Sequence, residues 1–357
     1  NVTFNVQRVA DDTAALALGA RVEGDIAHAG QIDRYTFTLG ARTSVLVDSL
    51  SNSPFNWTLS GPTGVIASRD FRSSDSRDFG GTPALDLLAG QYTLSIDPSG
   101  DTTGAYAFRV LDLAAAASFV APTAGTPTSV GGTLDPAAGT AMHRFDAVAG
   151  DRFFFDFVSA TNTDTQWRLL NPYGDIVFDR AFNSDAPEVA LGITGTYTLL
   201  IEGRYFQTAN NAYAFNVEFR GNTPPVPLTG DPLTLGQEVI GTIAAPGETD
   251  RYVFTLTERT RVYFDNRTNV GMSWQLVGPR GVVFGPRDIR SSDAWDGYLL
   301  SELVPGTYQL GISGSSASGT TGTYRFRVVD IATATPVAID TPVLNQTLDP
   351  ANATALY

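Results

Sequence analysis

The feature that most constrains this chain is that it repeats itself. Trp57, Trp167 and Trp274 each stand a few residues before a turn: Gly61-Pro62-Thr63-Gly64, Asn171-Pro172-Tyr173-Gly174 and Gly278-Pro279-Arg280-Gly281. Upstream, Asp33-Arg34-Tyr35-Thr36-Phe37 returns as Asp250-Arg251-Tyr252-Val253-Phe254, and more loosely as His143-Arg144-Phe145. Downstream, Gly90-Gln91-Tyr92, Gly195-Thr196-Tyr197 and Gly306-Thr307-Tyr308 are followed by Tyr106-Ala107-Phe108, Tyr213-Ala214-Phe215 and Tyr324-Arg325-Phe326. These spacings define three modules of about 105–110 residues, the regime of repeat architectures.

The copies alternate. The first and third share an acidic loop, Asp70 to Asp75 and Asp288 to Asp293, which the second replaces with Arg180-Ala181-Phe182-Asn183-Ser184-Asp185. The chain therefore reads as 1–10, the last strand of a preceding module; 11–121, module A; 122–228, module B; 229–338, a second module A; and 339–357, the first strand of a following module. The two end segments carry B-type matches: Phe4-Asn5-Val6 to Phe215-Asn216-Val217, and Thr347-Leu348-Asp349-Pro350 to Thr133-Leu134-Asp135-Pro136. On this reading the sequence is a window on a longer array. Pro-containing spacers, 121–127, 221–227 and 335–342, are expected to be stiff.

Within a module, Arg34-Tyr35-Thr36-Phe37-Thr38-Leu39 and Ser44-Val45-Leu46-Val47-Asp48 alternate apolar with polar residues, the period of half-buried strands. Gly, Pro, Asn and Asp turns bound such runs at short intervals, and no stretch sustains a helical period. The expected fold class is all-β, tandem sandwich or jelly-roll-like modules. The aligned tryptophans are expected in the cores. The Gly-x-Tyr tyrosines are expected to cap backbone groups at a corner.

Composition narrows function. The 23 basic residues are all Arg and 37 acidic ones leave a net charge of -14, which argues against nucleic acid as a partner. No Cys is present, so disulfides and thiol chemistry are excluded. No apolar run is long enough to span a membrane. His28 and His143 occupy unmatched places, and the sequence lacks a Gly-x-Ser-x-Gly elbow, a His-Glu-x-x-His pair and a P-loop lysine, so no catalytic constellation is expected.

The order of these motifs, Asp-Arg-Tyr-x-Phe, a Trp strand, Gly-Pro-x-Gly, a polar loop, Gly-x-Tyr-x-Leu and Tyr-x-Phe-x-Val, resembles the bacterial pre-peptidase C-terminal domain across all three modules. The resemblance implies a secreted accessory domain, found beside extracellular peptidases or strung along surface proteins, sometimes binding matrix or calcium. Its tandem copies shift the expectation toward an extracellular structural or adhesive array. Its partners are then neighbouring modules, like chains in a filament or a surface glycan or matrix ligand. The alternative is a glycan- or matrix-binding accessory segment of a secreted enzyme. No cofactor is required; calcium is the one candidate ion, with Asp70, Asp75, Asp78, Asp179, Asp185, Asp288, Asp293 and Asp296 as candidate ligands. The competing reading of those loops is a set of turns whose Asp and Ser side chains bond their own backbone.

Overall fold

The computed structural model describes all residues except 1, 2, 4, 5, 7, 99, 294–299 and 315–318. It divides into two compact units, Asn1–Pro224 and Pro225–Tyr357. The first holds modules A and B; the second holds another A.

Module A is built from β1 (Thr13–Ala15), β2 (Val22–Ile26), β3 (Asp33–Leu39), β4 (Thr43–Ser49), β5 (Phe55–Gly61), β6 (Gly64–Asp70), β7 (Leu85–Leu87), β8 (Gly90–Pro98) and β9 (Gly104–Asp112). They form two sheets, β1-β3-β8-β5-β6 and β2-β9-β4-β7, whose neighbours are antiparallel except for the parallel pair of β1 with β3. Module B repeats the plan with β10 (Ala117–Ser118), β11 (Thr128–Leu134), β12 (Thr140–Ala147), β13 (Asp151–Ala160), β14 (Gln166–Leu170), β15 (Ile176–Ala181), β16 (Ala186–Ala190), β17 (Gly195–Glu202) and β18 (Asn211–Asn222). Its sheets are β10-β12-β17-β14-β15 and β11-β18-β13-β16. The second unit repeats the A plan, again as a five-stranded and a four-stranded sheet.

Alternation does what the period requires. Along β3, Asp33, Tyr35, Phe37 and Leu39 are buried while the residues between them are more open, so one face supplies the core. Each module closes its own core, and the three tryptophans sit inside these cores, each paired with an isoleucine of the adjacent strand: Ile96, Ile201 and Ile312. The expected tyrosine corners are present in all three copies. Tyr92, Tyr197 and Tyr308 donate their hydroxyls to the carbonyls of Leu88, Ile193 and Val304, at 2.7, 2.8 and 2.7 Å.

Register corrects one sequence match. Phe145 lies opposite Tyr197 as Phe37 lies opposite Tyr92, so His143 stands in the place of Tyr35, not of Asp33. The substitution preserves a contact: Tyr35 Oη meets Tyr106 Oη at 2.7 Å, and His143 Nε2 meets Tyr213 Oη at 2.8 Å. A two-residue slip keeps every side chain on its face, which is why the sequence pattern tolerated the wrong alignment.

At the edges, β10 already belongs to the module B sheet, pairing with His143 and Arg144, so that sheet starts upstream of residue 122. The described residues among 1–10 lie in no strand, and neither do residues 339–357. In module B the matching strands β11 and β12 are held by β18 and β17.

Candidate functional site

The most distinctive constellation lies where module B packs on module A. Strand β4 departs from simple alternation: Val45 and Val47 enter the module A core, while Leu46 and Asp48, on the opposite face, are also fully buried. A strand buried on both faces must be covered by something else. The cover is module B, since Leu46, Leu111 and Leu113 cluster with Leu170 and Leu200 across the junction. Burial of each leucine contributes about 2 kcal/mol relative to exposure.

Beside the leucines runs a buried ionic network. Asp48 accepts from Arg109 Nε at 2.9 Å, from the Thr140 hydroxyl at 2.9 Å and from the Thr140 amide at 3.3 Å. Asp75 accepts from the Ser49 amide at 2.8 Å and is hydrogen-bonded to the Asp48 carboxylate. From module B, Glu202 at the end of β17 accepts from the Ser76 amide at 3.2 Å, while the Ser76 hydroxyl donates to the Glu202 carbonyl. Arg168, wholly buried, donates to the carbonyls of Ser76 and Phe79 at 3.0 and 3.1 Å and pairs with Asp179 and Glu202. Arg204 forms a fork with Asp78.

Burial sets the protonation of this network. It raises Asp75 well above the usual carboxylate range, helped by the neighbouring charges of Asp48 and Glu202. It raises Asp48 too, against the pull of Arg109. It pushes Glu202 up to about 7, against the pull of Arg168. Two touching carboxyls cannot both ionise cheaply in such a place, so Asp75 keeps a proton to donate to Asp48.

The carboxylates nominated for calcium are spread over several tasks. Asp70 and Asp288 cap short 3-10 turns through the amides of Arg72 and Arg290. Asp75 and Asp293 tie the loop to the amides of Ser49 and Asn266. Asp78 pairs with Arg204, Asp179 with Arg168, and Asp185 accepts from the Phe157 amide. Asp296 lies outside the described residues. Among the described residues no group of three or more His, Cys, Asp or Glu is arranged to hold a metal ion. Sequence reading singled out Asp75 and Asp78 for another chemistry and missed Asp48, Glu202 and Arg168. The available signal was continuous burial-competent sequence, Val45-Leu46-Val47 and Leu199-Leu200-Ile201, in strands that needed only every second residue apolar.

No protein-family model matches the chain, and neither does any curated protein. Solved structures do. The pre-peptidase C-terminal domain of collagenase from Bacillus anthracis is 16% identical, with 30% of this chain and 99% of that chain covered and a TM-score of 0.23. The CUB1-EGF-CUB2 segment of human MASP-1/3 is 8% identical, with 56% and 98% covered and a TM-score of 0.22. The share of this chain that the first covers is about one module. The sandwich itself rests on the sheets described above. Among the described residues no helix is long and apolar enough to cross a membrane.

Proposed function

We propose that this chain is a segment of an extracellular structural array in which A and B modules are locked into rigid pairs that provide reach and surface presentation. The observation that carries the reading is the A–B junction. Five buried leucines drive it, and the Asp48-Arg109-Thr140 and Arg168-Glu202-Ser76 networks fix its register. A misdocked Arg168 or Asp48 would be a buried charge without its partner, at a cost of about 3–5 kcal/mol. Modules joined only to be tethered have no need of such an interface. The sequence features that favour secretion are the acidic composition and the motif order resembling an accessory domain of extracellular peptidases.

A catalytic role has no support among the described residues: Asp75 and Glu202, whose carboxyls burial raises strongly, face the junction and not a cleft. A glycan-binding role calls for an aromatic platform repeated on each copy. Among the described residues the exposed large aromatics are Phe206 and Tyr357, which do not match one another. Immunogold labelling of producing cells with an antibody to module B tests the proposal. Label on the outer surface is expected, and label confined to the cell interior refutes it. Binding to a panel of polysaccharides and collagen should be absent; saturable binding at micromolar protein would move the reading to an accessory binding module.

A further inference from the structure

The second A module carries the same junction face, and the structure shows it in a different state of cover. Asp265 stands in the place of Asp48, Arg327 of Arg109 and Thr354 of Thr140. Arg327 Nε donates to Asp265 at 2.6 Å, the Thr354 amide donates to Asp265 at 3.0 Å, and Arg327 also bonds the Thr354 carbonyl at 2.5 Å. Asp293 holds the Asn266 amide at 2.8 Å as Asp75 holds that of Ser49. The apolar positions persist too. Tyr263 and Val329 replace Leu46 and Leu111, and both stand outside the second unit's own core cluster, which takes Val262, Phe264 and Val328 from the same strands.

What differs is the space beside Asp293. In the first unit the Glu202-Gly203 strand end fills it. The Gly203 amide donates to the Gly139 carbonyl at 3.1 Å, and Glu202 reaches the Ser76 amide next to Asp75. In the second unit a cleft of about 510 Å³ opens there, lined by Tyr263, Asn266, Arg290, Asp293, Asn352 and Thr354.

We infer that this face of the second A module is a docking surface for a B-type module, whose Glu-Gly-Arg strand end seats in the cleft beside Asp293. The occupant is specified by chemistry on both sides. Residues 347–354 repeat 133–140, including the Asp-Pro pair and the threonine that meets the buried aspartate, so the opening of a B-type module is already in place on this face. Tyr263 and Val329 are already buried, Tyr263 against Thr354, so the missing complement is a strand end that brings a buried carboxyl to Asp293 and a glycine able to pass residues 351–353. In the first unit a Cβ at Gly203 would stand 2.1 Å from the Ala137 carbonyl oxygen, so the glycine is part of the specification. A bulky residue there would lift the strand end off its seat.

The inference rests on the reading of the chain as an alternating array and is tested apart from it. The full chain is continued past Tyr357 with a copy of residues 144–224, which completes a second module B. Spin labels go on Thr255 and on the copied Asn183, and in a parallel sample on Thr38 and the original Asn183; the chain has no native Cys to interfere. Pulsed dipolar spectroscopy should give the same narrow distance distribution for both pairs. A broad distribution for the Thr255 pair beside a narrow one for the Thr38 pair overturns the docking surface and leaves the rigid first pair intact. In the copied module, Glu202→Arg should broaden the distribution and Glu202→Gln, which keeps the shape, should not. An unchanged distribution with the Glu202→Arg copy overturns the assignment of this face.

Discussion

Replacing Glu202 with Gln should make the A–B junction more stable at alkaline pH and leave it unchanged in mild acid. Glu202 is fully buried, its Oε1 accepts from the Ser76 amide and Arg168, and its Oε2 has no hydrogen-bond partner. Burial raises it from 4.5 to about 7 in the folded chain. A carboxyl whose folded value lies above its unfolded one adds stability that is fully present below about pH 4.5 and is lost as pH rises through about 7. A gap of about 2.5 units is worth about 3 kcal/mol. Gln mimics the protonated form at every pH, so the variant and the parent should agree near pH 4.5 and differ by about 3 kcal/mol near pH 8.5, with the variant the more stable. The other charged groups facing Glu202, namely Arg168, Asp179, Asp48 and Asp75, are present in both proteins, and the comparison isolates the one carboxyl. Urea unfolding followed by hydrogen exchange of the β17 amides reads the first unit alone. Coincident stabilities across the whole range would refute the reasoning. So would a variant less stable at pH 8.5, because it would mean that Arg168 outweighs burial and that Glu202 is ionised in the folded protein.

Further expectations come from the same contacts. Arg168→Ala removes the donor to Ser76, Phe79, Asp179 and Glu202, and should cost the first unit about 3–5 kcal/mol in urea unfolding. Gly203→Ala places a Cβ against the Ala137 carbonyl and should cost about 1–3 kcal/mol, read as a lowered melting midpoint. Tyr92→Phe deletes one corner hydrogen bond and should cost about 1 kcal/mol by the same assay, with Tyr197→Phe behaving alike. Millimolar calcium followed by chelator should leave the melting midpoint unmoved, since the acidic loops use their carboxylates on amides and arginines; an upward shift with calcium would place an ion among them.

Sandwich, repeat and tyrosine corner were legible because each depends on local pattern: period two along β3, the recurring Trp strand, and Gly followed two residues later by Tyr. The His143 register was not, since a slip of two residues preserves the pattern that sequence reading uses. The junction was hidden for a different reason. Asp48 reads as the polar member of an alternating strand and Glu202 as the end of an apolar one, and only their meeting across about 150 residues of chain makes them partners. The acidic loop drew attention for its charge density, yet its Asp75 acts through burial and a shared proton, which composition does not encode.

The proposed junction makes modules A and B of the first unit one rigid body. Spin labels at Thr38 and Asn183, both exposed and on different modules, test it most directly. A single narrow distance distribution is expected at about pH 5 and, in the Glu202→Gln chain, an equally narrow one at about pH 8.5. A broad distribution at about pH 5, with both modules folded by hydrogen exchange, would contradict it.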